Sequence, residues 1–213
     1  MLGSNHLSTA RVLNYLAGLY QSQGKYEKAE PLIQRALMIR EQNLPPDDPL
    51  IADTLVALAL FNLNQEKFLQ AEVLYQRALA IYEKVLSSHH PYFATTLSHL
   101  AGLYANQGKY EQSESLFKRS LAIRESVLGP DHPNTATSLH WLAFIYTEQG
   151  KYEQAEPFYQ RTLKVYEKVL PSDHFYIVNT LENYANLLRK MNRIEEAAPL
   201  EERARAIRAK RST

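Results

Sequence analysis

The 213-residue chain contains no cysteine. That excludes a disulfide framework, thiolate metal sites and thiol chemistry, and it fits a reducing cytoplasm, the expected location. It also lacks a charge excess: 24 basic against 23 acidic residues leave a net charge of +1, so whole-molecule charge points to neither nucleic acid nor a membrane surface. No apolar run approaches the roughly 18 residues that span a bilayer. Met1-Leu2-Gly3-Ser4-Asn5 is too short and too polar for a secretion signal. Gly3-Ser4 reads as a remnant of cloning, which predicts that the chain is cut from something longer.

What is present is repetition. Leu13, Leu55, Leu97, Leu139 and Leu181 recur every 42 residues, as do Ala17, Ala59, Ala101, Ala143 and Ala185, and Arg35, Arg77, Arg119, Arg161 and Arg203. A strict period of this size implies a stacked array in which each unit buries its apolar face on its neighbours. Five copies account for the chain, so a single domain over 1–213 is expected, with repeats at 7–48, 49–90, 91–132, 133–174 and 175–213.

Pro133 follows the turn cluster Gly129-Pro130-Asp131-His132 and suits the first position of a helix. Leu139, Leu142, Ala143 and Tyr146 then lie at offsets 0, 3, 4 and 7, one helical face. Gly150 suits the left-handed residue that ends a helix. A second helix places Tyr152, Ala155, Phe158, Tyr159, Leu163, Val165 and Val169 inward and ends near Leu170-Pro171. Each copy is thus an antiparallel hairpin of about 16 and 20 residues by this periodicity. Pro31, Pro157 and Pro199 fall in the second turn of the second helix, where a locally bent start is expected. In the last copy Glu201 and Arg205 replace an inward aromatic and an inward leucine, which suits a solvent-facing cap or a copy eroded at a cut.

The pattern resembles the tetratricopeptide repeat: Leu97, Leu100, Ala101, Tyr104, Ser113 and Phe117 match its signature in the third copy, and Leu13, Leu16, Ala17, Tyr20 and Ala29 in the first. The common unit has about 34 residues and ends in proline. Here Glu41, Glu83, Glu125 and Glu167 stand in place of that proline. Gly-Lys-Tyr-Glu-Gln-Ala-Glu at 150–156 and Leu-Gly-Pro-Asp-His-Pro at 128–133 resemble the 42-residue repeats of kinesin light chains and their bacterial counterparts. The resemblance implies an all-α, right-handed superhelical solenoid of five helix hairpins. It implies a non-enzymatic protein- or peptide-binding scaffold whose first helices line a concave groove.

On those first helices, offsets 0, 3, 4, 7 and 11 vary between copies while core positions do not. The candidate groove residues are Asn14, Tyr15, Leu60, Thr95, Ser98, His99, Thr137, His140, Trp141, Phe144, Asn179, Asn183 and Asn186. The groove is nearly neutral, with Arg11 and Lys190 against Asp53, Glu148 and Glu182, and its middle is aromatic. A peptide with an apolar or aromatic anchor is the expected partner, since tryptophan and other aromatics are preferred anchors. Trp141 and Phe144 can equally pack as core. Basic residues are too sparse for the acidic cargo preferred by eukaryotic kinesin light chains, and Ala57, Thr95 and His99 do not make a carboxylate clamp.

Neither nucleic acid nor membrane is an expected partner. The basic stretch from Arg189 to Arg211 reads as a solvated helix. His6, His90, His132 and His174, with His89 beside one, precede the first helices and read as helix caps rather than metal ligands. The repeated arginines read as partners of glutamates on outer helices. No metal, cofactor or catalytic motif is expected. Two other roles remain open: a sensor or assembly arm of a larger ATPase or protease, and self-association through the repeat ends, giving a homo-oligomer.

Overall fold

The computed structural model describes residues 5–85 and 90–211. The described residues form helices and connecting turns: α1 (Leu7–Ser22), α2 (Tyr26–Asn43), α3 (Pro49–Asn64), α4 (Phe68–Val85), α5 (Pro91–Asn106), α6 (Tyr110–Leu128), α7 (Pro133–Glu148), α8 (Tyr152–Val169), α9 (Phe175–Lys190) and α10 (Ile194–Arg211). Each repeat contributes a hairpin of a 16-residue helix and one of 18 or 19 residues. The chain divides into two compact units, Met1–Leu103 and Tyr104–Thr213. His89 and Met1 to Ser4, on which two sequence expectations rest, lie outside the described residues.

Local chemistry starts each first helix. The Nδ1 atoms of His6, His90, His132 and His174 accept the backbone N–H two residues on, at 3.1–3.2 Å. Asp48 does the same for Leu50 at 2.8 Å. These bonds satisfy amides that the first turn leaves without partners. The histidines are therefore caps, as their spacing indicated. Among the described residues no group of three or more His, Asp or Glu is arranged to hold a metal ion.

The turn between the helices of a pair needs one left-handed residue. Gly24, Gly108 and Gly150 supply it with φ between 70° and 74°, but Glu66 and Asn192 take the same conformation at 59° and 61°. Glutamate pays a steric penalty there that glycine does not. The prolines at 31, 157 and 199 do not interrupt their helices; each is exposed at the sixth helical position.

In the first unit, Ala17, Ala29, Ile33, Leu58 and Phe61 form one cluster joining α1, α2 and α3. In the second, Ala143, Tyr146, Ala155, Tyr159, Leu181, Tyr184, Ala185 and Ala197 belong to one core running from α7 to α10. Alanines at 0–1% exposure mark where helices approach closely. Each fully buried aliphatic or aromatic side chain contributes about 1.5–3 kcal/mol. Val169, expected inside, is 41% exposed: it ends α8 beyond the last turn that packs.

The glutamates that replace the terminal proline have a structural partner. Arg77 pairs with Glu41 at 2.7 Å, Arg161 with Glu125 at 2.6 Å and Arg203 with Glu167 at 2.6 Å. Each pair ties the lengthened second helix of one copy to that of the next. Being exposed, each is worth only about 0.2–1 kcal/mol, so the ladder fixes register more than it adds stability.

Glu66→Gly is expected to stabilise the fold by about 0.5–1 kcal/mol, and Gly150→Ala to destabilise it by about 1 kcal/mol. Urea unfolding monitored by circular dichroism measures both. Equal midpoints for the two variants would contradict the turn assignment.

Candidate peptide-binding pockets

The second helix of each copy has one position that alternates: Arg40, Tyr82, Arg124, Tyr166, Arg208. The arginines at 40 and 124 reach forward. Arg40 donates to the Leu50 carbonyl at 2.6 Å and to Thr54 Oγ1 at 2.5 Å. Arg124 donates to the Asn134 carbonyl at 2.9 Å and to Ser138 Oγ at 2.8 Å. Both are buried, and burial pulls their pKa below the ordinary arginine value. The tyrosines turn back instead: Tyr82 donates to Asp53 Oδ1 at 2.5 Å, and Tyr166 lies 3.0 Å from Thr137 Oγ1, both on the first helix of their own copy. Burial raises both phenols, Tyr166 to about 12.

Beside each of these tyrosines is a recess. In the second unit a cavity of about 440 Å³ opens between α7, α8 and α9. Trp141, Phe144, Tyr166, Phe175 and Tyr176 supply aromatic wall, and Asn106, Thr137, His140, Asn179, Thr180 and Asn183 supply polar groups. Tyr176 stacks on Tyr166 with centroids 5.5 Å apart. In the first unit a recess of about 220 Å³ is lined by Asp53, Val56, Tyr82, Tyr92, Thr95 and Thr96.

Trp141 serves two surroundings. Its indole is half-buried and stacks on the buried Phe117 ring, 5.6 Å between centroids and 10° between planes, while its edge meets Phe144 at 5.8 Å. One face is core and the rest is pocket wall. Both readings of this residue thus describe part of it.

His140 is held by two partners. Its Nε2 accepts from Asn183 Nδ2 at 3.2 Å. Its Nδ1 lies 3.1 Å from Thr180 Oγ1, whose own hydrogen goes to the Tyr176 carbonyl at 2.7 Å. These partners assign the neutral Nδ1–H tautomer. Burial depresses the imidazole to about 4. The surrounding charges are also tied off: Glu148 with Lys190 at 2.8 Å and Glu182 with Arg208 at 2.7 Å. The second-unit pocket is therefore polar, aromatic and uncharged.

Of the sequence candidates, Thr137, His140, Trp141, Phe144, Asn179 and Asn183 line this cavity. Asn186 is exposed one turn further along α9 and does not line it. In the first unit, Thr95 lines the smaller recess. Ser98 and His99 are half-buried, with the His99 ring 5.9 Å from Tyr75. Asn14 and Leu60 are half-buried, and Tyr15 is 75% exposed. Residue periodicity missed Tyr166, Phe175, Tyr176 and Thr180. A signal existed: the position that is Pro49, Pro91 and Pro133 becomes Phe175, and Tyr176 matches Tyr92. The basic C-terminal stretch is largely exposed, and its Arg189, Arg193, Arg203 and Arg208 form ion pairs at the surface.

Family models described as tetratricopeptide repeat match residues 92–168 and 135–210, and a second such model matches 9–50 and 51–92. The chain belongs to the tetratricopeptide-repeat family. Among solved structures it is similar to nearly identical TPR-like repeats of a Podosopora anserina protein assigned as a kinesin light chain. There the identity is 27% and the TM-score 0.81, covering 96% of this chain and 97% of that one. It is also similar to BtubC (BKLC) from P. vanneervenii, at 22% identity, TM-score 0.84, and coverage of 98% and 89%. The apo form of RapI shares the fold at 16% identity and TM-score 0.83, covering 95% and 71%. Comparison with curated proteins gives no significant match. Tetratricopeptide repeats generally mediate protein–protein interaction and are generally non-enzymatic. No helix among the described residues is long and apolar enough to cross a membrane.

The His140 environment has a pH signature. A base whose pKa falls on folding binds fewer protons in the native state, so its contribution to stability is present above about pH 6.5 and is lost as pH falls toward about 4. Wild type is expected to lose on the order of 2–3 kcal/mol more than His140→Gln between pH 7 and pH 4. Denaturant titrations of both proteins at the two pH values measure the difference, and parallel losses would contradict it.

Proposed function

We propose that this tetratricopeptide-repeat chain is a non-enzymatic scaffold that holds an extended peptide against its first helices, with an apolar or aromatic side chain anchored in the second-unit cavity. The observation that carries this reading is the cavity itself. It has the size of a ligand pocket, aromatic walls, and side-chain amides that can donate and accept at once, and no charge in it is left unpaired. Amides of this kind suit a peptide backbone, which offers one donor and one acceptor per residue. An uncharged aromatic wall suits an apolar anchor and disfavours an acidic one. Thr95, Ser98, His99, Asn14, Tyr15, Leu60 and Asn186 are proposed as secondary contacts along the same helices.

A second reading is favoured by one surface of the first unit. Val12, Leu16 and Leu19 are 36–60% exposed. Their equivalents Thr54, Leu58 and Phe61 are 0–8% exposed beneath the preceding copy. This face of α1 supports self-association or docking of a further helical hairpin. The register-equivalent face of α10 is polar, with Glu201, Arg205 and Arg208, so copies are not expected to stack α10 onto α1.

A peptide-array screen of the purified chain identifies ligands. Phe175→Ala removes a pocket wall that is 52% exposed and therefore leaves the fold intact. It is expected to weaken a confirmed ligand by about 1–2 kcal/mol, and Trp141→Ala by about 2–4 kcal/mol. Calorimetric titration with melting curves as a control measures both. Unchanged affinity in both variants would remove the pocket from the interface.

A further inference from the structure

The two recesses are copies of one another at twice the repeat length. Adding 84 to Asp53, Val56, Tyr82, Tyr92, Thr95 and Thr96 gives Thr137, His140, Tyr166, Tyr176, Asn179 and Thr180, and all six of these line the second-unit cavity. A further recess of about 290 Å³ lies one repeat earlier, where Arg11, Arg40 and Leu50 hold the places of Asp53, Tyr82 and Tyr92. The tyrosines thus mark two aromatic-walled sites in equivalent register. Their chemistry differs where the floor changes from Asp53 to Thr137.

Three of the hydroxyl hydrogens in the first-unit recess are already committed. The Tyr82 hydroxyl donates to Asp53 Oδ1 at 2.5 Å, Thr95 Oγ1 to the Pro91 carbonyl at 3.0 Å and Thr96 Oγ1 to the Tyr92 carbonyl at 2.9 Å. What these three side chains present to a ligand is oxygen lone pairs. Asp53 adds a half-buried carboxylate that makes no ion pair among the described residues. Arg40, a charge it influences, is engaged by the Leu50 carbonyl and Thr54. Tyr82 and Tyr92 add π faces, and Val56 an apolar strip for an aliphatic stem.

We propose that the Asp53 recess is a second ligand subsite, selective for the cationic head of an arginine or lysine side chain. A guanidinium or ammonium group donates only, which matches the Asp53 carboxylate and the Tyr82, Thr95 and Thr96 oxygens, whose hydrogens are already given. The proposal rests on the peptide-scaffold reading and deepens it: the chain reads a basic side chain with its first unit and an apolar or aromatic one with its second.

The test titrates Nα-acetyl-arginine N-methylamide, its lysine counterpart and its norleucine counterpart into isotope-labelled protein. The methyl resonances of Val56, Thr95 and Thr96 are followed. The cationic probes are expected to bind at least about tenfold more tightly than norleucine, and comparison of the two ranks arginine against lysine. Asp53→Asn keeps an acceptor for Tyr82 and removes the charge, so the preference should vanish with the melting profile retained. Thr137→Asp should confer the preference on the second-unit pocket, read at the Thr180 methyl. No shift with either cationic probe, equal binding of norleucine, or a preference that survives Asp53→Asn would overturn the proposal. Such a failure alongside a peptide still seated against Trp141 and Phe144 would leave the scaffold reading standing. Retained cation selectivity with no peptide at the second-unit pocket would sink that reading alone.

Discussion

A two-helix hairpin with an apolar stripe on each helix cannot bury both stripes against itself. The repeat spacing of this chain follows from that constraint. Ala17 and Ala29 let α1 and α2 approach, but Ile33 is buried in a cluster completed by Leu58 and Phe61 of the next copy. Stacking must therefore be in register, and register needs identical spacing. The 42-residue period, the histidine caps and the left-handed turn residue all serve that spacing. So does the glutamate–arginine ladder between successive second helices, which explains why glutamate stands where shorter repeats end in proline.

Once the register is fixed, positions that do not carry it are free to vary. The alternation of arginine and tyrosine is the clearest case. An arginine bridges to the start of the next first helix and staples a backbone carbonyl and a hydroxyl. A tyrosine at the same position folds back onto its own copy and leaves a recess with aromatic walls. The junction bridged by Arg40 also keeps a recess, of about 290 Å³, walled by Leu7, Arg11 and Leu50, so the residue at this position sets the chemistry of the wall rather than whether a recess exists. The residues around it then set the chemistry, from the carboxylate of Asp53 to the amides of Asn179 and Asn183.

The fold was legible because its signals are periodic and mostly apolar. Leu139, Leu142, Ala143 and Tyr146 lie on one helical face by counting alone, and all four are buried. The histidine caps were legible because they sit at one offset before four of the five first helices, with Asp48 at that offset before α3. The site was only partly legible. Counting offsets on the first helices found Trp141, Phe144, Asn179 and Asn183 but could not find Tyr166, which reaches the cavity from a second helix. Phe175 and Tyr176 occupy the helix start, where capping dominates the pattern. The double period was hidden for a physical reason: arginine and tyrosine differ in type, so comparison of single repeats scores the position as variable rather than alternating. Trp141 shows the limit of residue-by-residue assignment, since one ring face belongs to the core and its edge to the pocket.

The central claim is that recognition sits in the tyrosine-walled junctions and not on the outer helices. A crystal structure of the chain with the best peptide from an unbiased screen tests it most directly. The account predicts an apolar or aromatic side chain between Trp141, Phe144 and Tyr176, with Asn179 and Asn183 bonded to the peptide backbone. A peptide bound on the outer surface of α2, α4, α6 or α8, with the cavity unfilled, would contradict it.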